Sequence, residues 1–227
     1  MRKLVITLVV LLLLAVVADR VAKYVADSEA ATLIQNREHL SAKPTVDFEG
    51  FPFLTQVISG DFGKVAVSMP EVSTGGSTHG SLRIRHVDAT FYHVRTSDYF
   101  RQATVQVATG SATLPFSDLR SLGLSAGYGG TSADGAGLLS VAPLGSSGPR
   151  VKVGVSESQG GGISFVGAGG AGGAGGLLGA AGGAVRSLLG QPYVLSGLPA
   201  GLSVDSVQVT KQGITLSLSG RHIILHR

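Results

Sequence analysis

The chain has 227 residues, 44% of them hydrophobic, enough for a packed core in one or two domains. It contains no cysteine, which excludes disulfide staples and a lipid-modified cysteine anchor. The formal net charge is +4; without Arg2 and Lys3, 16 basic residues face 14 acidic ones, a surplus too weak to argue for nucleic acid.

At the N-terminus, Arg2 and Lys3 precede an apolar run from Leu4 to Ala18, broken only by Thr7. This is the layout of an export element, with the positive end left in the cytoplasm. Val16 and Ala18 are small enough for a signal peptidase, and the run of 15 residues is shorter than the roughly 20 that span a bilayer comfortably. Residues 1–18 are therefore a signal peptide or a membrane anchor, and 19–227 a single exported domain. The next stretch, Asp19 to about Leu40, is alanine-rich, free of Gly and Pro, and repeats apolar residues at Val21, Tyr24, Val25, Ala31, Leu33 and Ile34. It reads as one long helix, ended by Ser41 to Pro44 because the residue before proline is pushed out of the helical region.

Beyond Pro44 the period becomes two. Val46 and Phe48 alternate with Asp47 and Glu49; Val65, Val67 and Met69 alternate with Lys64, Ala66 and Ser68. The stretch from Ser81 sets Leu82 and Ile84 against Arg83 and Arg85, then shifts phase to Val87, Ala89 and Phe91, as a bulge would. Further strands are expected from Thr104, from Arg150 and around Ile163, and a closing hairpin turns at Lys211-Gln212-Gly213. The fold class is α+β, mostly antiparallel sheet with one long helix. Between Gly160 and Gly190, glycine and alanine dominate, and a flexible loop inserted in the sheet is expected.

Three short patterns invite other chemistry. Gly123-Leu124-Ser125-Ala126-Gly127 matches the G-x-S-x-G elbow of serine hydrolases, but the flanks read as helix then loop instead of strand, turn and helix. Gly167, Gly169 and Gly172 match a dinucleotide fingerprint inside the Gly/Ala tract, with no acidic residue before Asp205 to hold a ribose. His86, Asp88 and His93 lie in one strand, where a solvated polar face is the ordinary reading; no metal and no cofactor are assigned.

The segment from Phe51 to Ile58 carries the candidate site. Pro52 cannot donate to a sheet, so Phe51 to Phe53 should leave the strand, while Leu54, Val57 and Ile58 form one face of a helical turn and Gly60 lets the next strand begin. Two rings and three aliphatics there make either the plug of a core or the wall of an acyl-chain groove. The polar pair Thr55 and Gln56 either caps backbone or reaches a lipid headgroup. Arg83 and Arg85, on a polar strand face, are weaker candidates for headgroup or membrane-surface contact.

The run "GFPFLTQVISGDFGKVAV", Gly50 to Val67, resembles the most distinctive segment of the LmeA-like family of actinobacterial phospholipid-binding envelope proteins. The likeness extends to the helix beginning Asp19-Arg20 and to the closing hairpin Gly197 to Gly220. It implies a curved antiparallel sheet folded around the long helix, similar to tubular lipid-binding domains. It also implies a non-enzymatic protein outside the plasma membrane that binds phospholipid and supports mannan elongation on lipoglycans. Phe51, Pro52, Phe53, Leu54, Thr55, Gln56, Val57 and Ile58 are then the lipid-binding candidates. A structural adaptor of envelope enzymes and an exported hydrolase using Ser125 are the alternatives.

Overall fold

The computed structural model describes residues 2–37, 39–73, 83–97, 102–143, 145, 150–158, 162–167, 193–194 and 201–226. The chain divides into two compact units. The first comprises Met1–Met69, Asp88–Ala108 and Arg221–Arg227; the second comprises Pro70–Val87 and Thr109–Gly220.

In the first unit, helix α1 is one continuous element, Arg2–Arg37. It joins the apolar run to the alanine-rich stretch without a break, because nothing between Leu4 and Arg37 is Gly or Pro. It ends before Ser41: His39 takes a left-handed φ of 52° and the Leu40 amide bonds back to the Gln35 carbonyl at 3.0 Å. Strand β1, Thr45–Glu49, follows, then the short helix α2, Phe53–Ser59, and strand β2, Asp61–Ser73. β1 pairs antiparallel with β2, Thr45 opposite Ser68 and Glu49 opposite Lys64. The expected alternation holds, with Val46, Val65, Val67 and Met69 buried.

Strands β3, Arg83–Ser97, and β4, Gln102–Pro115, are long, and the unit boundary falls within each, as it does within β2 after Met69 and within the last strand after Gly220. The phase shift read in β3 is present: Ile84, Val87, Ala89 and Phe91 are buried, and His86 between them has a φ of 51°. His93 and, in the last strand, His222 share that left-handed conformation. Each extra residue of this kind bends its strand and raises its twist.

The second unit carries a five-stranded antiparallel meander of β5, Leu124–Thr131, β6, Gly137–Pro143, β7, Val151–Ser158, β8, Gly162–Gly167, and β9, Tyr193–Val194. β10, Ser203–Val209, and β11, Gly213–His226, form the closing hairpin around the expected turn, where the Thr210 amide donates to the Gly213 carbonyl at 2.8 Å. β10 packs on β6, β7 and β8. Leu139, Val141, Val153, Ile163, Ile214 and Leu216 are fully buried there. The other sheet runs in the order β1-β2-β3-β4-β11-β10.

The α+β class with a long N-terminal helix and antiparallel sheets is thus what the chain adopts. One local expectation is corrected in part: of the flank Tyr128–Gly137 read as loop, Tyr128–Thr131 belongs to strand β5, Leu124–Thr131, and Gly137 opens β6, while 132–136 form the turn between them. Its glycines lower strand propensity, and pairing with β6 overrides that. Within the Gly/Ala tract, Gly162–Gly167 is strand β8; residues 160, 161 and 168–190 lie outside the described residues.

Candidate functional site

The segment after β1 turns as its sequence demands. Phe51 and Pro52, joined by a cis peptide bond, leave the strand, and Pro52 sits extended at the start of α2 with φ −74° and ψ 142°. Gly60 ends the helix with a φ of 66°, its amide returning to α2 carbonyls. Its own carbonyl accepts the Thr96 amide at 2.7 Å, which ties the end of α2 to β3.

The eight candidate residues divide sharply by burial. Phe53 is 3% exposed and packs its ring with Phe48 and Phe62, centroids 5.8 and 6.3 Å away. Phe48 and Phe62 close the triangle at 5.2 Å. Phe53 is therefore the plug of a small aromatic core. Phe51 is 62% exposed and Ile58 86%, with Leu54 on the same outward side. Pro52 is exposed and Val57 half-buried. Thr55 and Gln56 are turned to backbone: the Thr55 hydroxyl donates to the Pro52 carbonyl at 2.8 Å. The Gln56 carboxamide donates to Glu49 at 3.4 Å and accepts from the Gly63 amide at 3.3 Å.

The N-terminus of α2 has no cap from its own segment. It is capped from α1. Asp19, 3% exposed, accepts the Leu54 amide at 2.8 Å on one carboxylate oxygen and the Arg20 guanidinium at 2.8 Å on the other. The acceptor satisfies an orphan donor and places negative charge at the positive end of the helix. The Arg20 guanidinium also lies 4.9 Å from the centre of the Phe51 ring, a cation–π distance. One turn on, Lys23 bridges Asp27 and Asp47, and Asp27 accepts the Phe48 amide at 3.0 Å. Since β1 is an edge strand, this covers a donor that would otherwise be open to another chain. Asp19, Arg20 and Lys23 were not legible as site residues, because a charge on a helix shows no partner 35 positions away until the chain is folded.

Beside α2 lies a broad open depression of about 520 Å³, lined among others by Glu49, Phe51, Pro52, Thr55, Gln56 and Lys64. Glu49 and Lys64 form an ion pair of 2.7 Å on directly opposed strand positions. That hydrogen bond to Glu49 holds the Lys64 ammonium above the ordinary lysine value. The depression presents both signs of charge next to an exposed aromatic ring.

The remaining candidates fall elsewhere. Arg85 pairs with Asp118 at 3.2 Å, and the Arg83 side chain lies outside the described residues. Ser125 stands within β5, its hydroxyl accepting from Arg150 at 3.0 Å, so the strand–turn–helix elbow is not formed. Asp88 accepts the Ser68 hydroxyl at 2.6 Å; among the described residues no three His, Asp or Glu side chains gather as a metal site. Of the dinucleotide-like glycines, Gly167 ends β8, and Gly169 and Gly172 lie outside the described residues.

Residues 17–219 match the family of LmeA-like phospholipid-binding proteins, and the chain belongs to that family. No curated protein and no solved structure matches it.

Proposed function

We propose that this member of the LmeA-like phospholipid-binding family is a non-enzymatic lipid carrier of the cell envelope, held by α1 at the outer face of the plasma membrane. Its polar headgroup site is the depression beside α2, where Lys64 meets the phosphate and Glu49 the cationic part of a headgroup. The acyl chains lie against Phe51, Pro52, Leu54, Val57 and Ile58, with Phe53 holding that wall from behind. The observation that carries this reading is the exposed apolar edge of α2 beside a depression with charges of both signs. Apolar surface flanked by a few polar groups is what an amphiphile requires. Thr55 and Gln56 hold the backbone of the wall. By handling that lipid the protein would serve envelope lipid homeostasis, including mannan elongation on lipoglycans.

Mass spectrometry of an organic extract of the purified chain tests this. Co-purified phospholipid, reduced in Lys64→Glu, is expected. A lipid-free protein that also takes up no phospholipid from vesicles would favour a structural adaptor instead.

A further inference from the structure

We infer that the tip of α2 is itself a membrane-docking surface, which with the outward face of α1 forms one apolar band inserted in the outer leaflet of a phospholipid bilayer. This rests on the reading of α1 as a retained anchor. The run Leu4 to Ala18 is 15 residues, about 22 Å of helix, short of the roughly 30 Å of hydrocarbon in a bilayer. The deficit is made up on one side of the next two turns. Val21, Tyr24 and Val25 are exposed, and at about 100° per residue they lie on the side of α1 opposite Asp19. Counted to Val25, the apolar side of the helix covers 22 residues, about 33 Å.

The charges at that level each have a partner, Arg20 with 45% of its side chain still exposed. Asp19 is buried under the Leu54 amide, Arg20 lies over the Phe51 ring, and Lys23 is shared between Asp27 and Asp47. The same bonds fix the height of α2. Leu54 is tied to Asp19 and Phe51 to Arg20, so exposed Phe51 and Leu54 stand beside the point where the apolar run of α1 ends, and exposed Ile58 follows one turn further along α2. An apolar edge continuous with a membrane helix, at the level of its last apolar turn, has the bilayer as its occupant. Docking would open the depression directly onto the leaflet from which a phospholipid is taken.

The chain has no tryptophan, so Ile58→Trp in the full-length protein gives a single emitter on the α2 tip. The variant is reconstituted into vesicles of phosphatidylcholine and phosphatidylglycerol. The expected result is blue-shifted emission, quenching by lipids with a doxyl group shallow on the acyl chain, and loss of quenching by aqueous iodide. Adding Leu54→Glu should restore iodide access. Emission that iodide quenches as freely as tryptophan in water, with no effect of doxyl lipid, overturns docking. Iodide protection without doxyl quenching, growing with the protein-to-lipid ratio, identifies a second copy as the occupant and also overturns it. Phospholipid content is measured on the same samples. Bound phospholipid with an iodide-accessible tip removes this inference and leaves the binding function standing; a chain that does not float with the vesicles removes the anchor as well.

Discussion

Phe53 and Ile58 are five residues apart in one short helix and have opposite duties. Phe53→Ala removes a ring packed against Phe48 and Phe62 and should destabilise the first unit by roughly 3–5 kcal/mol, seen in a denaturant or thermal melt. Its lipid binding should fall only as the protein unfolds. Ile58→Ala should change stability by no more than about 0.5 kcal/mol, since the side chain stands in the open, while membrane association weakens. Equal losses of stability in the two variants would contradict this division. Both residues look alike in sequence, because an apolar residue in the turn after Pro52 is equally suited to a plug or a wall until its neighbours are placed. Lys64 gives a pH test. Its folded value is raised, above all by the hydrogen bond to Glu49, so its contribution is complete below the ordinary lysine value of 10.5 and is lost as pH rises through the folded value. The melting temperature of the native chain should drop over that alkaline range more than that of Lys64→Met. The difference should be small, because the pair is exposed.

At the scale of elements, close approaches decide what the strand pattern cannot. Gly137 opens β6, and a Cβ there would stand 2.0 Å from the Val209 carbonyl oxygen of β10. Gly137→Ala should therefore cost about 1–3 kcal/mol or more in the second unit, measured as a lower denaturant midpoint. An unchanged midpoint would mean that β6 and β10 part easily. Helix α2 illustrates the opposite case, an element short enough to depend on a distant residue. Asp19→Ala leaves the Leu54 amide without its acceptor and should loosen α2, read as faster amide exchange at Leu54 and Thr55 than in the native chain. The bulge in β3 was readable from the phase shift at Val87, and the ends of α2 from Pro52 and Gly60. Strand β6 and most of β5 were not readable, because their glycines weaken local propensity and only pairing across the meander makes them strands.

For the whole molecule, α1 joins an exposed apolar run to a stretch that packs on β1 and α2, along one helix. Removing residues 2–18 should release the chain from membranes without detergent while leaving the first unit folded, since Asp19, Lys23 and Asp27 keep their bonds to α2 and β1. Fractionation and a melt check this, and loss of the cooperative transition would show that the apolar run is needed for folding. The amino-acid sequence alone determined the apolar N-terminal helix, the α+β class, the closing hairpin and the family resemblance, because these depend on local periodicity, turn residues and a long contiguous motif. Which rings are buried, which acidic residue caps α2, and how the charges after Ala18 are paired were decided only by tertiary structure. Those properties belong to pairs of residues distant in the chain, and a one-dimensional pattern records the chemistry of each partner but not the distance between them.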